Sequence, residues 1–406
     1  MRCEPRFSRV REVFERHLAD GEELGAAFAV FLDGEPVVDL WGGEADRHTG
    51  RPWAEDTPAF AYSCTKAITA TVLLQLAERG LVDVSAPVAD VWPEFAAEGK
   101  ADVTVAHLLT HAAGLPVVED PVPVEEFGDH AAVAARLAGQ RPLWEPGSAH
   151  GYHALSYGFL VGEVVRRVTG KTVGELVAAE IAGPLGLDLW VGAPDPVIAR
   201  AARLTTATGT SEVRQDGGAP EEGTAGRSGA PAADTPVTDP GGGEGGAFGM
   251  MARAVRDPDS LMNRALGNPS MQRLKGGANH PVVMRAGWPA AGAVTTARAL
   301  AGFYRSLLAG DVLRPETLRD ALRPRVSGPD RVLYVDSSFG LGYMRPAMTF
   351  FVPSATAFGH TGLGGFVGLG DPEHGLAIGY VMNRMAGAVS GSLRGYRLTE
   401  AVYRSL

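Results

Sequence analysis

Residues 26–43 read AAFAVFLDGEPVVDLWGG, and the fold assignment starts from them. Two apolar runs flank Asp33-Gly34, a dipeptide that tolerates the positive φ angles of a tight hairpin turn. The pattern predicts two adjacent antiparallel strands. The last hundred residues return to this style. Residues 334–344 (YVDSSFGLGYM), 355–362 (ATAFGHTG), 365–371 (GFVGLGD) and 375–383 (GLAIGYVMN) are short, rich in Gly, aromatic and β-branched residues, and separated by turn signals. Between the two ends the apolar spacing is helical. It predicts helices over 6–20, over 63–79 ending at Gly80, and over 104–111, 131–138, 155–169 and 173–181. Further helices are expected over 250–265, 295–309 and 314–322, with 397–406 closing the chain.

Strands at both ends with helices between them predict an α/β (α+β) fold. An antiparallel sheet is built from both termini and flanked by helices, with a mostly helical region inserted. The expected division is a sheet domain from 1–60 and 285–406, and a helical domain from 61–284. Residues 206–248 are Gly, Pro, Ala and acid with no apolar period. Such a segment buries too little surface to offset its ordering entropy, so a flexible loop is expected there.

The 406 residues carry 37 Lys+Arg against 47 Asp+Glu, a formal charge of −10, with 45% hydrophobic residues. That is globular usage, and it excludes a wholly disordered or fibrous chain. The acidic balance argues against nucleic-acid or anionic-membrane partners, which need a basic face. Cys3 and Cys64 are too few for a disulfide framework. The N-terminus lacks an apolar signal core and no run reaches membrane-spanning length, so a soluble cytoplasmic protein is expected. His107 and His111 lie four apart on an expected helix, but without His-Glu-x-x-His a packed structural pair is expected rather than a metal site. Neither a phosphate loop nor a dinucleotide fingerprint is present, and no cofactor is expected.

The sharpest chemical signal is Ser63-Cys64-Thr65-Lys66. Positions i and i+3 share a helix face, so the hydroxyl and the amine can meet. A helix N-terminus beside them favours developing negative charge on the serine oxygen. Only four of the 37 basic residues are lysine (Lys66, Lys100, Lys171, Lys275). Arginine cannot accept a proton, whereas a lysine with a lowered pKa can. Tyr152 lies in a Gly/Ser/His-rich turn before an apolar helix, where its phenol could relay a proton. Near the C-terminus, residues 359–365 (GHTGLGG) put four glycines in strand-like sequence, a mark of close backbone or ligand approach.

In this order the three segments resemble the signatures of the serine β-lactamase and penicillin-binding-protein superfamily: Ser-x-x-Lys, Tyr/Ser-x-Asn and Lys-Thr-Gly. The chain is most similar to the class-C-like family VIII carboxylesterases. Residues 34–46, 63–70, 91–116, 143–176, 181–194 and 359–385 all read as family sequence. The resemblance implies Ser63 as acylated nucleophile, Lys66 as its base partner and Tyr152 as proton shuttle. It places the oxyanion hole at the backbone N–H groups of Ser63 and Leu363. Substrate contacts fall to His360, Thr361 and Gly362 of the third motif and to His153 beside Tyr152.

Two departures stand out. Tyr152-His153-Ala154 lacks the asparagine of the second motif, and His360 replaces the lysine of the third. A histidine supplies no permanent cation for a substrate carboxylate. The expectation is therefore a serine hydrolase of small carboxylic esters, thioesters or related acyl substrates, with weak β-lactam turnover. Two alternatives stand beside it: an acyltransferase or peptide-cyclising thioesterase using the same acyl-enzyme, and a non-catalytic binding protein on this scaffold. If both Lys66 and Tyr152 have lowered pKa values, ester hydrolysis has an alkaline optimum on the order of pH 8–9. Oligomeric state is not legible.

Overall fold

The structure is a computed structural model that describes residues 1–206 and 247–406. The segment expected to be a flexible loop lies, from 207 to 246, outside the described residues. In chain order, the elements that frame the site are β1 (Arg2–Cys3), α1 (Ser8–Ala19), β2 (Gly25–Leu32), β3 (Glu35–Asp46), α2 (Thr65–Glu78), α3 (Ser156–Thr169), α4 (Ala297–Ala309), β4 (Phe358–Thr361), β5 (Val367–Asp371), β6 (Leu376–Met382) and α5 (Leu393–Tyr403).

The main sheet runs β1-β3-β2-β6-β5-β4, antiparallel throughout. Its centre joins the two ends of the chain, with Leu32 opposite Leu376 and Ala26 opposite Met382. The hairpin turns at Asp33 (φ 50°) and Gly34 (φ 86°), as the dipeptide requires. Every residue of β5 and β6 is buried, so neither strand shows the apolar–polar alternation of a sheet with one solvated face. Helix α4 packs across β2, β5 and β6, and α1 packs against α5. The mixed α/β architecture and the antiparallel sheet built from both termini are those expected.

Helix α2 is buried from Thr65 to Leu76. A helix apolar on every side belongs inside a core. Each leucine enclosed this way contributes roughly 1.5–3 kcal/mol relative to exposure. Its first turn is consequently fixed by neighbours on all sides.

Several expected elements differ. Residues 334–344 do not form one strand: only Asp336–Phe339 is extended, and it pairs with Val326–Pro329 outside the main sheet. The extended run is bounded on both sides by positive φ, at Tyr334 (62°) and at Gly342 (82°). The helix expected over 250–265 breaks into Ala247–Arg256 and Leu261–Gly267, because Pro258 cannot donate to a helical ladder. A three-stranded sheet of Ala59–Phe60, Ala293–Thr295 and Leu189–Val191 was not legible in the sequence. Among the described residues, no helix is long and apolar enough to cross a membrane.

Candidate active site

Ser63 lies half-buried in the turn before α2. The residue before it, Tyr62, has φ 46°, an uncommon conformation for a bulky side chain. It persists because its surroundings hold it. The Tyr62 ring packs at 5.0 Å from Phe60 and 6.1 Å from Phe366. Thr65 Oγ1 donates to Tyr62 O at 2.6 Å and accepts from Ala293 N–H at 2.9 Å. The small sheet therefore fastens the serine turn from outside.

One helical turn on, Lys66 is fully buried. Its Nζ lies 3.2 Å from Ser63 Oγ, 2.7 Å from Ala154 O and 3.0 Å from Ala290 O. Carbonyls only accept, so two N–H bonds go to Ala154 and Ala290. Burial holds the Lys66 pKa well below the usual lysine range. A neutral amine has two N–H donors and one lone pair. In that form both donors are spent on carbonyls and the lone pair faces the Ser63 hydroxyl; in the ammonium form the third N–H donates to Ser63 Oγ.

Tyr152 is buried with its ring centre 4.7 Å from Lys66 Nζ. Burial raises its phenol pKa, only partly offset by a hydrogen bond with Ser63. The phenol is thus protonated at neutral pH. This corrects the expectation that Lys66 and Tyr152 both have lowered pKa values: desolvation disfavours the charged form of each, which moves an amine down and a phenol up.

The third segment reaches the serine turn directly. Cys64 Sγ donates to His360 O at 3.4 Å, and a Cβ on Gly362 would lie 2.5 Å from Ala61 O. Only glycine permits that approach. No hydrogen bond uses the N–H of Ser63 or of Leu363 among the described residues.

His360 is buried, with Nδ1 2.6 Å from Thr361 O. The Nδ1–H must donate to that carbonyl, so Nε2 carries the lone pair, and it has no partner. Burial and the nearby Lys66 push the His360 pKa down to about 3. Thr361 Oγ1 is 2.6 Å from Ser390 Oγ.

His153 does not match its expected role. It is fully buried, its Nδ1 donates to Gly151 O at 2.6 Å, and its Nε2 accepts from Leu115 N–H at 3.0 Å. Neither nitrogen is left for a substrate. Nor do His107 and His111 act as a structural pair. His107 caps its own helix through Thr104, whereas His111 packs its ring 5.0 Å from Tyr152 and 4.4 Å from Phe339. No group of three or more potential metal ligands occurs among the described residues.

Asp330 carries no motif and was missed in the sequence. It is buried, and its Oδ1 accepts from Tyr152 N–H at 3.0 Å, Val332 N–H at 2.8 Å and Leu333 N–H at 2.9 Å. Its Oδ2 accepts from Ser337 Oγ at 2.8 Å, and Ser337 Oγ lies 3.0 Å from His150 Nε2. Asp330 therefore pins the main chain of Tyr152.

The profile of the Beta-lactamase family matches residues 10–403. The chain belongs to the Beta-lactamase family. Esterase/beta-lactamase LipL of Mycobacterium tuberculosis is 34% identical over 410 residues, covering 94% of this chain and 82% of LipL. A crystal structure of a family VIII carboxylesterase aligns with a TM-score of 0.82 and 34% identity, covering 100% of this chain and 99% of that one. A penicillin-binding protein homolog from Caulobacter crescentus gives 0.81 and 37%, over 100% and 99% of the two chains. This member of the Beta-lactamase family is a serine hydrolase of that superfamily.

Proposed function

We propose that this protein hydrolyses carboxylic esters through an acyl-enzyme on Ser63. The observation that carries the reading is the donor count at Lys66: two carbonyls take its N–H bonds, and the remaining face meets Ser63 Oγ at 3.2 Å. Lys66 accepts the hydroxyl proton as Ser63 Oγ attacks the ester carbonyl. The N–H groups of Ser63 and Leu363 receive the developing oxyanion. Tyr152 passes its phenolic proton to the departing alkoxide and is reprotonated from Lys66, so the ester C–O bond breaks and an alcohol leaves. Water then attacks the acyl carbon, its proton returns through the same pair, and Ser63 is released with the acid.

Preference for esters over β-lactams rests on His360. A buried imidazole pushed down to about 3 is neutral at any physiological pH and offers no cation to a carboxylate. Short-chain p-nitrophenyl esters and a chromogenic β-lactam, assayed side by side, test this. Ester turnover well above β-lactam turnover is expected, and the reverse order contradicts the reading. Added alcohols or amines in the ester assay identify the acceptor. Free acid as the main product supports hydrolysis, and dominant transfer to the added nucleophile supports the acyltransferase alternative.

A further inference from the structure

We propose that Met348, Phe351 and Leu393 form an apolar rim that receives the alkyl chain of the ester substrate, selecting medium-length and longer chains. The proposal rests on Ser63 being the acylated residue. Phe351 is 68% exposed, Leu393 53% and Met348 45%. Single exposed apolar side chains need no explanation, but apolar residues gathered beside a site do.

Two separate links tie them to the third motif. Thr361 Oγ1 contacts Ser390 Oγ at 2.6 Å, and Ser390 Oγ donates to Thr349 O at 2.7 Å. Thr349 lies between Met348 and Phe351 in the chain. Independently, a Cβ on Gly365 would stand 2.5 Å from Ser392 Oγ. Ser392 caps α5, whose first residue is Leu393, and Gly365 N–H closes onto Gly362 O at 3.0 Å around Leu363. The turn that offers the Leu363 N–H is thus in contact with the start of α5. The two segments also meet each other: the Phe351 ring packs 4.9 Å from Tyr396, three residues beyond Leu393 on the same helix face.

Composition indicates what the rim takes. Residues 346–353 (PAMTFFVP) and 385–393 (MAGAVSGSL) contain no charged side chain, in a chain that is 21% charged. Two uncharged segments that touch the third motif and the turn after it, and carry exposed apolar side chains, fit an alkyl chain extending out of the site. Each methylene enclosed there adds to transition-state binding in proportion to the area removed from water.

The test compares kcat/KM for p-nitrophenyl acetate, butyrate and octanoate in wild type, Phe351→Ser and Leu393→Ser, with melting curves to confirm folding. The octanoate-to-acetate ratio is expected to exceed one in wild type and to fall about tenfold in each variant. A ratio unchanged in both folded variants overturns the rim. So does a wild-type dimer that becomes monomeric in Phe351→Ser with the ratio unchanged, since the patch then joins two copies of the chain. If wild type hydrolyses none of the esters and Ser63 takes no adduct, the underlying esterase reading fails instead, so the two failures are distinct.

Discussion

The Nζ atom of Lys66 lies over the ring of Tyr152, 4.7 Å from its centre. The same buried space lowers the lysine pKa and raises that of the tyrosine. Desolvation therefore tilts the pair toward an amine and a phenol, one suited to take a proton and the other to give one.

The amine form exists only above the lowered Lys66 pKa. Ester kcat/KM should rise through that value and level off well below the ordinary lysine pKa of about 10.4. An acid limb near pH 10 in the measured profile contradicts a desolvated Lys66. Lys66→Met, which cannot accept the proton, should lose on the order of 10²–10⁴-fold in kcat.

Stability follows from the same shift. In the unfolded chain Lys66 binds a proton below about pH 10.4, whereas in the folded chain it does so only below its lowered pKa. Between those values the unfolded state holds the extra proton, so wild-type stability rises with pH. Relative to Lys66→Met, wild type should gain up to ~1.4 kcal/mol per pH unit in this window. Urea denaturation at pH 7 and pH 9 measures the difference, and a constant gap contradicts a neutral buried amine.

His360, neutral above about pH 4 with its pKa pushed down to about 3, should add no limb to the profile between pH 5 and 8. His360→Lys places a second amine beside Lys66, which should move the acid limb to lower pH and improve binding of anionic substrates. An unmoved profile in that variant means residue 360 is not coupled to the pair.

Asp330→Ala removes the acceptor of three main-chain N–H groups and one hydroxyl. Leaving buried donors unpaired costs about 1–3 kcal/mol each, so the melting temperature should fall. Because one of those donors belongs to Tyr152, kcat should fall more than KM rises. Asp330→Asn, which keeps an acceptor oxygen, should recover part of both. Loss of stability with kcat intact would reduce Asp330 to a loop anchor.

Gly158→Ala tests the scaffold behind the lysine. A Cβ there would stand 2.3 Å from Ala290 N, in the segment whose carbonyl accepts from Lys66. Overpacking should cost ~1–3 kcal/mol, and displacement of Ala290 should lower kcat.

The residues of the site differ in how visible they are in sequence. Ser63 and Lys66 share a helix face, and spacing alone reveals that. The hairpin at Asp33-Gly34 is equally local. Asp330 was hidden because it acts on the backbone of Tyr152 from 178 residues away, and no motif marks such a contact. Ala154 and Ala290 contribute carbonyls, which every residue possesses. His153 misled because proximity to Tyr152 in sequence says nothing of direction: its ring turns toward Leu115 and Gly151. The strand expected over 334–344 shrinks to Asp336–Phe339 because the chain turns at Tyr334 and again at Gly342, both with positive φ, local choices that β-propensity does not reveal.

The proposed mechanism requires Ser63 to carry the acyl group. Mixing the protein with a slowly deacylating p-nitrophenyl ester, quenching in acid and measuring intact mass tests it most directly. One acyl increment is expected, mapped to the peptide containing Ser63 and absent from Ser63→Ala, which should keep the wild-type fold and lose ester turnover. Persistence of turnover in Ser63→Ala, or an acyl increment mapped to another residue, would contradict it.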